Sequence, residues 1–344
     1  MYCENCKKVS KDTDVDYVIN TVAIVSGGSP DYLIDIVADG MIRFLGNENV
    51  YIRYFWLKPG ISEERRVRHL YVITKNHENK ISLSECQALV ASNRVSIDYI
   101  KKYKQIRNGI VAIVDGEDSG ELKDEYLRIA DVYFKREYFR DGKYPVKVLN
   151  SISSILPRGR RLVPSYYKRY PDKVHNLSFG VVPIDYGSGD ENPEKTGNLF
   201  FAGGSGGARA LKIRQRLKDL VGDYGTFMPN VLEMKDYARE VRRHWICLVP
   251  RGSGWDTYRY WEIPYLGGAM LCQNHPLKID DDFVHGESCL RFSTVDEARS
   301  LIEEFLQRKD KLAYIANKGR ELVIKKHLSI HRAMKVCQTI AERA

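Results

Sequence analysis

Residues 248–268 contain the side chains whose types and spacing best suit a chemical role. An apolar run there ends in a small-residue loop, and a predicted helix starts near Tyr258. Backbone N–H groups at the start of a helix attract anions, so this loop and first turn suit phosphate binding. The candidate donor-binding residues here are Arg251, Gly252, Ser253, Gly254, Thr257 and Tyr258.

Within the same helix, Arg259 and Glu262 are three residues apart and therefore share one face. The cation suits a diphosphate, and the carboxylate suits a ribose diol. A surface helix with an ordinary ion pair would show the same spacing. We predict that both residues bind a donor and that Arg259 also acts in catalysis.

A glycine-rich turn lies upstream, between a predicted strand at residues 198–202 and a predicted helix at 209–221. Its spacing fits neither a Walker loop nor a dinucleotide fingerprint. A phosphate could approach its backbone closely, although a plain tight turn with a solvated basic helix fits equally well. The candidate donor-binding residues here are Gly203, Gly204, Ser205, Arg209 and Lys212, with Arg214 as a further source of charge.

Acidic residues follow a predicted buried strand at residues 109–114. One carboxylate among Asp115, Glu117 and Asp118 could act as general base on an acceptor hydroxyl in an inverting transfer. Acidic residues after strands are also common in turns and helix caps. We name these three residues as catalytic candidates.

Two further groups lie where ligands approach αβ sheets, beyond the carboxyl ends of strands. Gly27, Gly28 and Ser29 follow the first predicted strand, and Arg136 follows the predicted strand at 130–135. We predict that these four residues face the acceptor side of a cleft.

Alternating strands and helices run through the chain, which indicates parallel sheets covered on both faces. A length of 344 residues favours two domains with a cleft between them. The predicted divisions are an N-terminal tail at 1–16, a first αβ domain at 17–184, a linker at 185–197, a second αβ domain at 198–328 and a closing helix at 329–344. Other predicted strands are 17–25, 49–55, 69–74, 245–249 and 269–272, and other predicted helices are 32–45, 82–91, 97–103, 258–266, 295–307 and 310–325.

Composition narrows the partners and the compartment. A hydrophobic content of 43% with 29% charged residues is typical of a folded protein. No apolar run approaches the roughly 20 residues that span a bilayer, so we expect a cytoplasmic protein that is at most peripheral to a membrane. Seven scattered cysteines indicate reduced thiols, and the Cys3–Cys6 pair lacks a second pair at zinc spacing. A net charge of +9 favours anionic partners such as nucleotide diphosphates, nucleic acid or acidic membranes.

The residues around Glu262 resemble the donor-site signature of exostosin-like and group 1 glycosyltransferases. The resemblance implies a GT-B fold with two facing Rossmann-like domains, here an acceptor domain at 17–184 and a nucleotide-sugar-binding domain at 198–328. It also implies no catalytic metal or other cofactor, and a nucleotide diphosphate sugar, UDP or GDP linked, as donor. It also implies that Glu262 binds the donor ribose. Group 1 enzymes carry a second Glu where this chain has Gly254, which leaves the exostosin-like assignment open. The matching residues are Pro250, Gly252, Thr257, Arg259, Glu262, Gly267 and Gly268, followed by apolar residues 269–271.

We therefore expect a hexosyl- or pentosyltransferase that acts on a hydroxyl of a glycan or lipid-linked glycan. One alternative is a DNA base glycosyltransferase acting on hydroxymethylated bases, because residues 157–170 interleave arginines and tyrosines. Another is a binding protein on a degenerate GT-B fold, but the presence of both Arg259 and Glu262 argues against it.

Overall fold

The computed structural model describes residues 19–28, 31–55, 78–140, 143–145, 162–164, 170–184, 194–203, 211–228 and 233–343. Its main feature is a pair of parallel sheets, one in each half of the chain. The N-terminal sheet has the strand order β2-β1-β3-β4-β5-β8. These strands are β1 (Val22–Ser26), β2 (Val50–Tyr54), β3 (Ala88–Ser92), β4 (Ile110–Asp115), β5 (Val132–Lys135) and β8 (Val174–Asn176). A small antiparallel pair, β6 (Lys143–Pro145) and β7 (Leu162–Pro164), lies between β5 and β8 in sequence.

The C-terminal sheet has the order β10-β9-β11-β12-β13, and its neighbouring strands are also parallel. Its strands are β9 (Gly197–Ala202), β10 (Gly225–Met228), β11 (His244–Val249), β12 (Ala269–Gln273) and β13 (Leu290–Phe292). Every residue of β1 and β3 is buried, as expected for apolar strands covered by helices on both faces.

Helices cover both sheets. In the N-terminal half they are α1 (Tyr32–Leu45), α2 (Ile97–Arg107) and α3 (Asp124–Ile129). In the C-terminal half they are α4 (Leu211–Tyr224), α5 (Met234–Arg243), α6 (Tyr258–Tyr265), α7 (Val295–Leu306), α8 (Lys309–Lys326) and α9 (Ser329–Ala341). No helix in the described ranges is long and apolar enough to cross a membrane.

The last helix, α9, packs on α1 and so returns the chain to the N-terminal half. Ser329 Oγ donates to Asp39 Oδ2 over 2.5 Å, and Cys337 Sγ lies 3.4 Å from Met41 Sδ. A Cβ atom at Gly40 would overlap the Ser329 carbonyl oxygen, so the two helices touch through their backbones. This close packing fixes the C-terminal half against α1.

Most predicted elements agree with the structure. α1 has the predicted bounds, and α9 begins at Ser329 as predicted and ends at Ala341, before the end of the predicted segment. The prediction of a helix at 82–91 is wrong. Those residues form a short 3₁₀ turn at Leu83–Glu85, capped by Ser82 and Glu85, and then β3. A short apolar run suits a buried strand as well as a buried helix, and here the pairing with β1 and β4 decides. The predicted strand at 69–74 lies outside the described residues.

Candidate functional site

The loop between β11 and α6 lies at the carboxyl edge of the C-terminal sheet, where parallel αβ sheets bind ligands. Arg251 N donates to Gln273 Oε1 over 3.1 Å, which fixes the loop to the end of β12. Gly252 N donates to Gly254 O over 3.0 Å and closes a tight turn. The Arg251 guanidinium lies 4.4 Å from the Trp255 ring centroid. The loop predicted to bind phosphate is therefore well ordered by contacts of its own.

Cationic side chains gather beside this loop. Arg214 of α4 is buried, and its Nη1 lies 3.5 Å from the Arg251 carbonyl oxygen. Burial, followed by the positive charge of Arg259, lowers the pKa of Arg214 to about 10. Arg214 Nε, Arg259 Nε and Thr257 Oγ1 are buried and lack hydrogen-bond partners within the described part of the chain. An anion between two cations that repel each other would stabilise both.

The remaining predicted donor residues have different surroundings. Glu262 is buried in the second turn of α6, on the helix that carries Arg259. Tyr258 instead packs between the two halves, with its ring stacked 4.8 Å from Phe179 and edge-on 4.6 Å from Tyr32. Burial raises the pKa of the Tyr258 phenol well above its usual value. Tyr258 therefore joins the halves through ring contacts.

Four predicted residues of the glycine-rich turn and the first loop, namely Gly204, Ser205, Arg209 and Ser29, lie outside the described residues. Gly203 lies against the guanidinium of Arg214, since a Cβ atom on it would stand 2.9 Å from Arg214 Nη2. Lys212 is exposed on the first turn of α4.

A carboxylate from the N-terminal half caps the start of α6. Glu137, which is 1% exposed, accepts a hydrogen bond from Trp255 N at 2.9 Å and another from Asp256 N at 2.9 Å. Both amides belong to the loop and first turn that the sequence predicted to bind phosphate. Glu137 therefore already occupies these two amides. Glu137 is the second residue after β5, and nothing in its local sequence predicts a contact 118 residues away.

Arg136 makes the neighbouring contact between the halves. It is 3% exposed, donates to Gly116 O over 3.0 Å, and also donates to Asp256 O and pairs with Asp118. Burial alone would lower the pKa of Arg136, but the carboxylates of Glu137, Asp256 and Asp118 raise it above its usual value. Arg136 therefore stays charged and lies buried between the two halves.

The Asp256 carboxylate also ties the halves together. It accepts hydrogen bonds from Phe179 N at 2.6 Å and from Trp261 Nε1 at 2.7 Å. Burial raises its pKa to about 6, against the lowering effect of Arg136. Asp256 thus positions the first turn of α6 and cannot reach solvent.

Two of the three acidic candidates are held by lysines. Asp115 is fully buried, pairs with Lys135 at 2.8 Å and accepts from Tyr133 OH at 2.5 Å. Glu117 pairs with Lys123 at 2.7 Å. Burial opposes ionisation of Glu117, but the hydrogen bond and charge of Lys123 lower its pKa below the usual value. Both carboxylates stabilise the end of β4.

Asp118 is placed differently, because its side chain is 51% exposed and pairs with Arg136. A Cβ atom on Gly254 would stand 2.7 Å from Asp118 Oδ1, so this carboxylate touches the loop between β11 and α6. The structure therefore brings together Asp118, Arg136 and Gly254, whereas the carboxylates of Asp115 and Glu117 are paired with lysines.

The turn after β1 belongs to the same edge of the N-terminal sheet. Gly27 packs so tightly that a Cβ atom would overlap the Arg94 carbonyl oxygen, and Gly28 has a positive φ of 72°. Both positions require glycine. The turn thus brings backbone close to the cleft, next to the start of α1.

Residues 217–338 match a protein family described as "Glycosyl transferase-like". Several solved structures are similar across nearly the whole chain. Anabaena HepE in complex with UDP has 8% identity and a TM-score of 0.54, and the match covers 94% of this chain and 100% of that one. Sucrose-phosphate synthase from Thermosynechococcus elongatus has 10% identity and a TM-score of 0.53, with 92% and 98% covered.

A third structure is an alpha-glucosyltransferase in complex with UDP and a 13-mer DNA containing an HMU base. It has 13% identity and a TM-score of 0.55, and the match covers 93% of this chain and 99% of that one. No curated protein sequence matches this chain. The two parallel sheets and these similarities show that the chain has the GT-B fold, as in group 1 glycosyltransferases.

Proposed function

We propose that this protein is a glycosyltransferase that moves a sugar from a nucleotide diphosphate sugar to a hydroxyl of a glycan. The observation that carries the proposal is that the charge of Arg259 lowers the pKa of the buried Arg214, while Nε of both arginines and Oγ1 of Thr257 are buried without partners in the described residues. Cations that repel each other in a dry site destabilise it until an anion binds between them. Solved structures of the same fold hold UDP, which supplies such an anion.

In this proposal the arginines stabilise the charge that develops on the leaving diphosphate. Electrostatic groups that are already in place when the bond breaks are an effective means of lowering a barrier. Arg214, Arg251 and Arg259 supply that charge themselves, so the arrangement calls for no metal. Glu262, on the same helix as Arg259, would accept hydrogen bonds from the ribose hydroxyls of a UDP or GDP sugar.

Asp118 is the proposed general base if the transfer inverts the anomeric centre. Among the three acidic candidates, it is the one that is exposed and also touches the loop between β11 and α6, which is proposed to bind the donor. Arg136 holds its carboxylate in place, leaving the second oxygen to accept the proton of an acceptor hydroxyl. Asp118→Asn should lower kcat at least 100-fold while the affinity for UDP stays within twofold.

The donor site is tested by calorimetric titration of UDP and GDP into wild type and Arg214→Met. A nucleotide should bind, and the variant should weaken it at least tenfold, which is about 1.4 kcal/mol. The matched control is Arg216→Met on the same helix, whose side chain is 63% exposed and should be neutral. Because the variant also removes a buried repelling cation, its melting temperature should not fall. Failure of both nucleotides to bind wild type would refute the proposal.

Transfer to DNA is the second candidate. The net charge of +9 suits an anionic polymer, and the third similar structure contains DNA with a modified base. The basic and aromatic residues 157–170 predicted for this contact lie almost wholly outside the described ranges. Incubation of the protein with UDP-glucose and a duplex containing hydroxymethyluracil, followed by mass spectrometry, distinguishes the two acceptors. A glycan acceptor predicts an unmodified duplex.

A further inference from the structure

A polar cavity of about 390 Å³ lies at the amino edge of the N-terminal sheet. Its lining includes the residues directly before three neighbouring strands, namely Gly109 before β4, Asp131 before β5 and Lys173 before β8. β4 has six residues and a strand rises about 3.3 Å per residue, so Asp115 at its carboxyl end is about 15–20 Å away. The cavity therefore lies at the opposite edge of the sheet from the contacts with the loop between β11 and α6.

Three cations from separate parts of the chain line this cavity. Lys104 belongs to α2, Lys173 precedes β8, and Arg343 follows α9. Asp131 is the one carboxylate among the described residues of the lining, and both of its oxygens are already bound. Its Oδ1 lies 2.9 Å from Lys104 Nζ, and its Oδ2 accepts from Val111 N over 2.8 Å. The lining therefore carries an excess of two positive charges.

Lys173 and Arg343 carry this excess, because neither forms an ion pair with a carboxylate in the described part of the chain. Arg343 donates instead to the carbonyl oxygen of Asp172. Burial lowers the pKa of Lys173, the charge of Asp131 opposes this effect, and the charges of Lys104 and Arg343 lower the pKa further. The cations therefore repel one another, and an anion in the cavity would relieve that repulsion.

The charge and size of the cavity select the type of anion. A phosphate monoester carries a charge of about −1.5 to −2 at neutral pH, which matches the excess on the lining. Lysine binds phosphate as a point charge, and arginine offers its oxygens a planar set of donors. Binding sites for small molecules have volumes of about 300–1,000 Å³, so this cavity has room for a phosphate and part of the group that bears it.

We propose that this cavity binds a phosphate group between Lys104, Lys173 and Arg343 and thereby ties the end of α9 to the N-terminal sheet. Lys104 and Lys173 belong to the N-terminal half, whereas Arg343 follows the helix that returns the chain from the C-terminal half. A bound phosphate would add a link to the packing of α9 on α1. The inference goes beyond the proposed function and does not depend on it, because the cavity and the donor site share no residue.

The test is a calorimetric titration of inorganic phosphate into the full chain at constant ionic strength. All proteins carry Arg214→Met, which removes the proposed donor site as a competing anion site. This protein should bind phosphate, and adding Lys173→Met or Arg343→Met should each weaken binding at least tenfold. Lys102→Met is the matched control, because Lys102 is exposed on α2 outside the cavity, and it should leave the affinity within twofold. Without phosphate, Lys173→Met should not lower the melting temperature, since it removes a repelled cation.

Two further measurements test the link to α9 and the source of the phosphate. Phosphate should slow amide hydrogen exchange at the end of α9, where Glu342 N donates to Gln338 O over 3.1 Å, and Lys173→Met should abolish this effect. Sedimentation with vesicles of phosphatidylcholine and phosphatidylglycerol that Lys173→Met abolishes would assign the phosphate to a lipid head group, and binding of free phosphate alone would assign it to a soluble molecule.

Three results would overturn the inference. They are no binding of phosphate, equal weakening by Lys173→Met and Lys102→Met, which would indicate a solvated basic surface, and unchanged exchange at the end of α9. Titration of UDP into wild type and Arg214→Met reports on the proposed function, so its failure is distinguishable from failure of the phosphate site.

Discussion

Replacing Glu137 with glutamine tests whether this carboxylate fixes the donor helix to the N-terminal half. Glu137 is nearly inaccessible, and its two oxygens receive the N–H groups of Trp255 and Asp256 at distances of 2.9 to 3.1 Å. Arg136 lies 3.7 Å away. Glutamine keeps the length of the side chain but has one accepting oxygen and no charge.

The size of the effect follows from these contacts. Hydrogen bonds to a charged group contribute about 1.5–3 kcal/mol each, and neutral ones about 0.5–1.5 kcal/mol. Two bonds that lose their charge assistance therefore cost about 2 kcal/mol in the free energy of unfolding. Alanine leaves both amides and the Arg136 charge unsatisfied, so Glu137→Ala should cost about 3–5 kcal/mol.

Urea unfolding followed by tryptophan fluorescence and circular dichroism measures both variants. Glu121→Gln is the matched control, because Glu121 is exposed in the same half of the chain and its substitution should change stability by less than about 0.5 kcal/mol. A Glu137→Gln protein as stable as this control would show that the contact between the halves contributes nothing, and the argument for Glu137 would fail.

Two further predictions concern pH and helix packing. Burial raises the pKa of Asp256 from 3.8 to about 6, so the folded state retains a proton that the unfolded chain loses. The stability that Asp256 contributes is complete below about pH 4 and is lost as the pH rises to about 6, by at most about 3 kcal/mol. Asp256→Asn should remove this loss when unfolding curves at pH 4 and pH 7 are compared, and an unchanged difference would contradict it. Gly40→Ala should lower the melting temperature because the new methyl group meets the Ser329 backbone, whereas Gly222→Ala in α4 has open space and should raise stability by about 0.5–1 kcal/mol.

The helices were predictable where the sequence carries both an apolar periodicity and an end signal. Asp31 caps α1, Gly46 ends it with a φ of 89°, and the predicted bounds agree with the structure. β3 was missed because its local sequence does not distinguish a short buried strand from a buried helix. The hydrogen bonds that make it a strand come from β1 and β4, which are distant in sequence.

Part of the candidate site was predictable because it depends only on the spacing of residues along one helix. Arg259 and Glu262 are close in sequence, so helical geometry alone places them on one face. Arg214 joins them only through tertiary packing, and its position on α4 gives no local hint that it is buried beside Arg259. The cap that Glu137 places on α6 likewise depends on how the halves meet. Contacts between residues of the two halves therefore cannot be predicted from a single sequence.

The surroundings of Gly254 explain why this chain has glycine where group 1 enzymes carry their first Glu. A Cβ atom there would stand 2.7 Å from Glu137 Oε1 and 2.7 Å from Asp118 Oδ1, so carboxylates from the N-terminal half already occupy this space. Gly254→Ala must displace both. Asp118 can swing into solvent, but Glu137 is buried and held by two amides, so the variant should lose about 1–3 kcal/mol of stability.

A double-mutant cycle isolates this contact. If the added methyl group acts by pushing Glu137 off its amides, the effects of Gly254→Ala and Glu137→Gln overlap, because each disrupts the same hydrogen bonds. The double variant should then be more stable than the sum of the single losses predicts, by at least about 0.5 kcal/mol. Additive losses would mean that the methyl group strains the loop independently of Glu137. In that case the carboxylates would not be the reason that this position requires glycine.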